Sequence, residues 1–283
     1  MLLFAVVLLV VLCASCGGDD SDDGGSVDGD VDNVQEDGDV EQGESAELSE
    51  VNPDQFDLTG DFALKIKSEQ MFSTLLGDAP VTIATYSYIR FEQDGLTLSE
   101  KRKVCDVVLS KYAEGTLTEY PKAAVDGYRL VESDITLDTD MGGAKYQNEY
   151  YRLLGYETED PANDSVPEDK DDKRLKDHDK DGNPGVTIQL SGNALTEGWV
   201  YIASFSHYVM EGIVIDSDRI ESTSVDADHL QNVLDAETMA AKAGATSAHD
   251  PDKPSSFVMV RMPDGSDCQT VLDNAGEWFD EEE

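Results

Sequence analysis

Basic residues are scarce in this chain. Its 283 residues include 20 Lys and Arg against 61 Asp and Glu, which gives a formal net charge of -41, and there are only four histidines. Such a charge repels nucleic acids and excludes nucleic-acid binding as a function. Residues 19–50 hold 14 of the acidic residues and no Lys or Arg, so the other 47 make the remainder acidic too. This composition is typical of a solvated surface, and a cation-binding surface is the alternative.

Catalytic motifs are also absent from the sequence. It contains no GxSxG, HExxH, P-loop or GxGxxG pattern, and its histidines show no metal-ligand spacing. Acidic pairs are too abundant to indicate glycosidase chemistry. The sequence therefore predicts a protein that is not an enzyme, with a cryptic hydrolase as the alternative.

The one long hydrophobic run lies at the N-terminus. Leu2–Leu12 is too short for a membrane-spanning helix, which needs about 20 residues, but it has the length of a signal-peptide core. Small residues follow and lead to Cys16, an arrangement that resembles the lipobox of bacterial lipoproteins. Cys13 stands where that family usually has Leu, and no basic residue precedes the run. The alternative is a buried N-terminal strand or helix of a cytosolic protein.

The lipobox resemblance implies a cellular location for the protein. Residues 1–15 would be removed, Cys16 would be diacylated, and the lipid would anchor an exported protein in the bacterial cell envelope, at the outer membrane or cell surface. Residues 17–50 contain no aromatic residue and are rich in Gly, Ser, Asp and Glu, which predicts an extended, disordered tether. The predicted organisation is a signal peptide (1–15), lipidated cysteine and tether (16–50), a single β-rich domain (51–276) and an acidic tail (277–283).

Two cysteines remain once the leader accounts for Cys13 and Cys16. An oxidising compartment favours a single disulfide between Cys105 and Cys268. The two residues are 163 positions apart, so the bond would contribute roughly 4–5 kcal/mol in the chain-entropy model. The alternative is a pair of free, buried thiols.

Alternation of apolar and polar residues predicts about ten strands. Residues 61–67 place Phe62, Leu64 and Ile66 on one face, and residues 81–91 alternate in the same way before a hairpin turn at Asp94-Gly95. Other predicted strands are 96–98, 104–109, 124–131, 146–154, 186–190, 199–209, 213–215, 257–262 and 269–272.

Helical periodicity is confined to residues 228–243, with Leu230, Val233 and Leu234 on one face and Gly244 as the stop. The fold class predicted is mostly β, an antiparallel barrel or sandwich with one short helix and a long acidic loop at 156–185. The strand number and the aromatic residues of 199–209 resemble lipocalins, which would imply a carrier of a small apolar ligand.

One motif in the long loop carries metal chemistry. Asp177, Asp179 and Asp181 alternate and Gly182 follows, a DxDxDG arrangement that resembles the calcium loops of EF-hands and of thrombospondin type 3 and dockerin repeats. The resemblance implies Ca²⁺ bound by the three carboxylates and by the backbone carbonyl of Asn183. Ile188 occupies the twelfth position, where EF-hands have a bidentate Glu. Further ligands would come from elsewhere, with candidates at Glu168, Asp169, Asp171 and Asp172.

These features favour a membrane-anchored, calcium-binding lipoprotein with a binding or envelope-structural role. A solvated acidic turn is the alternative for the loop, and a lipocalin-like carrier is the alternative for the domain. The sequence predicts the lipid anchor as a membrane contact but identifies neither a protein nor a small-molecule partner.

Overall fold

The alternating segments at the start of the domain form a three-stranded meander. The computed structural model describes residues 48–74, 77–110, 115–192, 197–239, 246–250 and 253–279. Strand β1 spans Gly60–Thr74, β2 spans Gly77–Asp94 and β3 spans Thr97–Leu109. The apolar residues predicted for the inner face of β1 are buried, and the predicted hairpin turn lies at residues 95–96.

The remaining elements are mostly strands. Their bounds are β4 Leu117–Glu119, α1 Lys122–Asp126, β5 Val131–Thr136, β6 Lys145–Leu154, β7 Val186–Ser191, β8 Gly198–Asp216, β9 Arg219–Ala236, β10 Thr246–His249, β11 Ser256–Arg261 and α2 Cys268–Trp278.

The strands form one antiparallel sheet that curls into a half-barrel. Its order is β4-β7-β8-β9-β10-β1-β2-β3-β5, while β11 pairs with β1 and β9, and β6 pairs with β8. The predicted mostly-β antiparallel fold is confirmed, with a single curled sheet in place of the two sheets of a sandwich. Strands β5 and β6 have no ladder between them in the described ranges, but Asn148 Nδ2 on β6 donates to Ser133 Oγ on β5 at 3.0 Å.

Apolar side chains fill two clusters within the curl. The first contains Phe62, Phe91, Tyr146, Phe257 and their neighbours, and the second contains Phe72, Val81, Val186, Ile202 and theirs. A third cluster lies on the outer face of β1 and β2, where Val271 of α2 packs with Ala63 and Tyr86.

Helix α2 is attached to the sheet near its N-terminus. The structure brings Cys268, its first residue, within disulfide distance of Cys105 on β3, with the Cα atoms 5.1 Å apart. Asp267 caps the helix by accepting from the Thr270 backbone N–H at 3.1 Å. The predicted pairing of Cys105 with Cys268 therefore joins the first residue of α2 to β3.

The predicted helix at 228–243 is wrong over residues 228–236, although Met239 is helical. Residues 219–236 form β9, which pairs with β8 along most of its length. Within β9, Val225, Ala227, His229 and Gln231 are buried and the residues between them are exposed. His229, on the buried side of β9, contacts Ser206 Oγ on β8 at 2.9 Å. Residues 240–243 lie outside the described part of the chain.

Other element assignments also change. The predicted strand 269–272 belongs to α2, because the Asp267 cap starts a helix there, and Glu277 of the predicted tail is helical too. The predicted strand 124–131 is wrong: residues 124–126 belong to α1, residues 127–130 form a turn and loop, and β5 begins only at Val131. Segments 199–209 and 213–215 are one strand, β8, with register shifts.

The expected signal peptide, Cys16, the tether up to residue 47 and tail residues 280–283 lie outside the described residues. Residues 47–283 form one compact unit. No helix in the described part of the chain has the length and hydropathy required to cross a membrane.

Candidate metal centre

The predicted acidic loop joins β6 to β7 and is folded against the outside of the sheet. Its two arms meet where Glu157 N donates to the Arg174 carbonyl at 2.9 Å and Lys176 N donates to the Gly155 carbonyl at 2.9 Å. Tyr156, Val166 and Leu175 pack with Ala203 and Leu234 on β8 and β9. The loop therefore has an apolar base of its own, despite its acidic composition.

Two glycines form the narrow base of this loop. Gly155 and Gly185 both have positive φ, 78° and 80°. A Cβ on Gly155 would lie 2.6 Å from the Ile202 carbonyl oxygen, and one on Gly185 would lie 2.2 Å from the same atom. Only glycine fits this close backbone approach, which fixes where the acidic turn enters β7.

The three predicted aspartates converge in the turn. Asp177, Asp179 and Asp181 each offer a carboxylate oxygen, and these oxygens lie within 4.8 Å of one another. Gly182 takes a φ of 88°, as the sixth position of the motif requires for its bend. This is the arrangement from which a hard cation draws oxygen ligands.

Hydrogen bonds to backbone groups preorganise the carboxylates. Asp177 accepts from Asp181 N at 3.1 Å and from Gly182 N at 3.0 Å. Asp179 Oδ2 accepts from Thr187 N, on β7, at 2.8 Å. The turn is consequently held both within itself and by the first residues of the following strand.

Asn183 lies beside the aspartates. Its backbone N–H and its side-chain Nδ2 donate to the two oxygens of Asp181, at 2.8 and 3.0 Å. The Thr187 hydroxyl also donates to Asp181. These bonds lower the pKa of Asp181 against the opposing effect of burial, so this carboxylate is held in its charged form.

Asp179 is the least satisfied of the three. Its Oδ1 atom is buried and has no hydrogen-bond partner. Burial and the neighbouring carboxylates of Asp181 and Asp177 raise the pKa of Asp179 to about 6 despite the Thr187 N–H. A buried carboxylate oxygen without a donor is costly, and a cation bound between the aspartates would supply its missing partner. The residues present therefore fit a hard divalent ion.

His178 supports the turn from the other side. Its Nδ1 accepts from the Gly155 N–H at 3.1 Å, and burial together with Arg129 lowers its pKa. The imidazole thus joins the start of the loop to the acidic turn, a contact that the motif alone did not predict.

The additional ligands considered from sequence are not gathered at the cluster. Asp172 pairs with Arg174 at 2.8 Å, and Ile188 is fully buried in β7. The cluster found among the described residues comprises the three aspartates alone. Backbone carbonyls and water would complete the coordination that calcium requires.

A second polar constellation, inside the sheet, was missed from sequence. Glu100 and Arg102 lie at inward positions of β3 between buried Leu98 and Val104. Arg102 Nε donates to Glu100 at 2.6 Å, and Tyr146 OH on β6 donates to Glu100 at 2.6 Å. The signal was available, because both charged residues have the same parity as the apolar residues of that strand.

Comparisons with protein-family models, with curated proteins and with solved structures found no match.

Proposed function

We propose that the chain is a calcium-binding protein of the bacterial cell envelope, anchored through a lipid on Cys16, that acts by binding rather than by catalysis. The observation that carries the metal assignment is the convergence of three carboxylates within 4.8 Å around the unpartnered Asp179 Oδ1. Oxygen-only ligands favour a hard cation over zinc or copper. The proposed location in the cell envelope rests on the leader sequence.

Calcium would act on the folded loop rather than on the whole sheet. The aspartates lie between the base of the loop and the first residues of β7, where Thr187 contacts two of them. Neutralising their mutual repulsion would stabilise this junction and the surface that the loop presents. That supports a structural or partner-binding role.

Thermal melts with calcium and with chelator test the metal assignment. Calcium is expected to raise the melting temperature of the wild-type chain and to have no effect on Asp179→Asn. Asp228→Asn is the matched control, because Asp228 is exposed on β9 and the substitution removes the same charge. Equal melting curves for the wild type in calcium and in chelator would refute calcium binding.

The alternative, a carrier of a small apolar ligand, is favoured only by the curled sheet. The interior contains Glu100, Arg102 and Arg152, all buried. These charges argue against a purely apolar ligand, since each needs a polar partner.

A further inference from the structure

Arg152 is a buried cation without a carboxylate partner. It lies at an inward position of β6 and is only 8% exposed. Its Nη2 donates to Tyr208 OH at 3.0 Å, but its Nε is buried without a hydrogen-bond partner. Among the described residues, no Asp or Glu forms an ion pair with it.

Aromatic rings hold the Arg152 guanidinium in place. Its central carbon lies 4.8 Å from the centroid of the Tyr128 ring and 5.2 Å from that of Tyr208. Cation–π contacts of this kind orient the planar guanidinium while leaving its edge available for hydrogen bonds. Arg152 is thus preorganised before any ligand arrives.

Arg102 provides an internal comparison. It is as deeply buried, and it also lies over a tyrosine ring, 4.4 Å from the centroid of Tyr150. However, Glu100 neutralises it through a hydrogen bond of 2.6 Å to Nε. Arg102 therefore has a carboxylate on its Nε, whereas Arg152 has none. Burying an unpaired charge in this way is costly.

A groove of about 390 Å³ lies along the unpaired edges of β5 and β6, and Arg152 is part of its lining. The other charged residues of this groove each have a partner. These pairs are Arg129 with Glu157, Glu132 with Lys101 at 3.7 Å, and Glu149 with His207 at 3.0 Å. Among the described charged residues of the groove, Arg152 is the one with no contact to an oppositely charged or histidine side chain.

We propose that Arg152 binds the carboxylate of a small organic acid whose apolar body lies in the groove between β5 and β6. The planar guanidinium fork matches the geometry of a carboxylate. Tyr150, Leu130 and Val131 supply apolar surface for the rest of the molecule. Inorganic phosphate has no apolar body to occupy the rest of the groove, so it is not expected to bind. Tyr156 and Pro161 of the acidic loop also line this groove, but none of the three aspartates does.

Calorimetric titration of the full chain with straight-chain carboxylates from acetate to octanoate tests the proposal. At least one acid should bind saturably, whereas the matching primary amide and inorganic phosphate should not. Arg152→Met should weaken the acid by about tenfold to a hundredfold, the loss expected for a charge-assisted hydrogen bond. Lys103→Met is the control, since Lys103 is exposed on β3 and loses the same charge.

A spectroscopic readout keeps the test valid if Arg152→Met does not fold. The Nε–H resonance of Arg152 in the wild-type chain, assigned through its loss in Arg152→Lys, should shift as the acid saturates the site. Absence of binding by every acid, or an unshifted resonance at saturation, would overturn the proposal, as would unchanged affinity in a folded Arg152→Met.

Discussion

Asp179 makes the acidic loop sensitive to pH. Its pKa is raised to about 6, above the ordinary aspartate value of about 3.9. The folded, metal-free protein therefore holds this proton more tightly than the unfolded chain does. Its contribution to the free energy of unfolding is largest at low pH and declines as the pH rises from about 4 to above 6.

Calcium and the Asp179 proton should consequently compete. We expect the calcium-induced rise in melting temperature to be full at about pH 7.5 and strongly reduced at about pH 5. In chelator, Asp179→Asn should lose the part of the pH dependence that falls in this window. Melts of both chains at the two pH values measure this, and a wild-type calcium shift of equal size at both would contradict it.

The three aspartates could be predicted because the motif is local. Residues 177, 179 and 181 are close in sequence, so one tight turn is sufficient to bring their carboxylates together. The hydrogen bonds from Thr187 and from Gly155 to this turn could not be predicted, because they depend on how β7 and the base of the loop are positioned. Spacing alone therefore identifies the ligands but not their support.

At the scale of elements, strand pairing overrode the helical spacing of apolar residues in β9. Leu230, Val233 and Leu234 have helical spacing, yet β9 continues a hairpin whose partner, β8, extends from Gly198 to Asp216. Pairing with β8 and the alternating burial of β9 outweigh the moderate helix propensity of these residues, so the tertiary context decides. By contrast, β1 was correctly predicted because its alternation and its burial coincide.

The glycine pair at the base of the loop should be intolerant of side chains. Gly185→Ala would force a positive φ on alanine and a contact of 2.2 Å with the Ile202 carbonyl oxygen. We expect a loss of at least about 2 kcal/mol in the free energy of unfolding, together with a weaker calcium response. Urea denaturation measures the first effect and calcium melts the second.

Gly265→Ala is the control for conformation alone, because Gly265 also has a φ of 80° but nothing lies within 4 Å of its added Cβ. If the two variants lose the same stability, the close approach to Ile202 is unimportant.

The pairing of Cys105 with Cys268 should stabilise the placement of α2. Reduction would free the helix from β3 and release a loop of 163 residues in the unfolded chain. We expect the free energy of unfolding to fall by about 2–5 kcal/mol, with faster hydrogen exchange in α2. Denaturation with and without reductant measures this, and Cys268→Ser should be insensitive to reductant. A wild-type chain unaffected by reduction would show that the bond contributes nothing.

At the scale of the molecule, the fold class was easier to predict than the contacts inside the sheet. Alternating strands without a βαβ pattern led to an antiparallel sheet, which the structure confirms. The interior network was missed because Glu100 and Arg102 are on β3 and Tyr146 is on β6, and these strands are not paired with each other in the described residues. Such contacts depend on how far the sheet curls, and no local pattern reports that.

The acidic charge of the chain is consistent with the proposed lipid anchor. An acidic chain gains nothing from anionic headgroups, so attachment to a membrane needs an anchor that overcomes repulsion. One acyl chain gives only marginal binding, whereas two give stable anchoring. Diacylation of Cys16 would meet this requirement.

Substitution of the leader cysteines tests the anchor. The wild-type chain should fractionate with membranes, and mass spectrometry should find a mature N-terminus at diacylated Cys16. Cys16→Ser should abolish acylation and mature processing, while Cys13→Ser should preserve both, because Cys13 lies in the segment that is removed.

A wild-type chain that retains residues 1–15, or a Cys13→Ser chain that behaves like Cys16→Ser, would contradict the lipobox assignment. In either case the calcium melts would still report on the acidic loop, since Asp177, Asp179 and Asp181 belong to the compact unit that begins at residue 47.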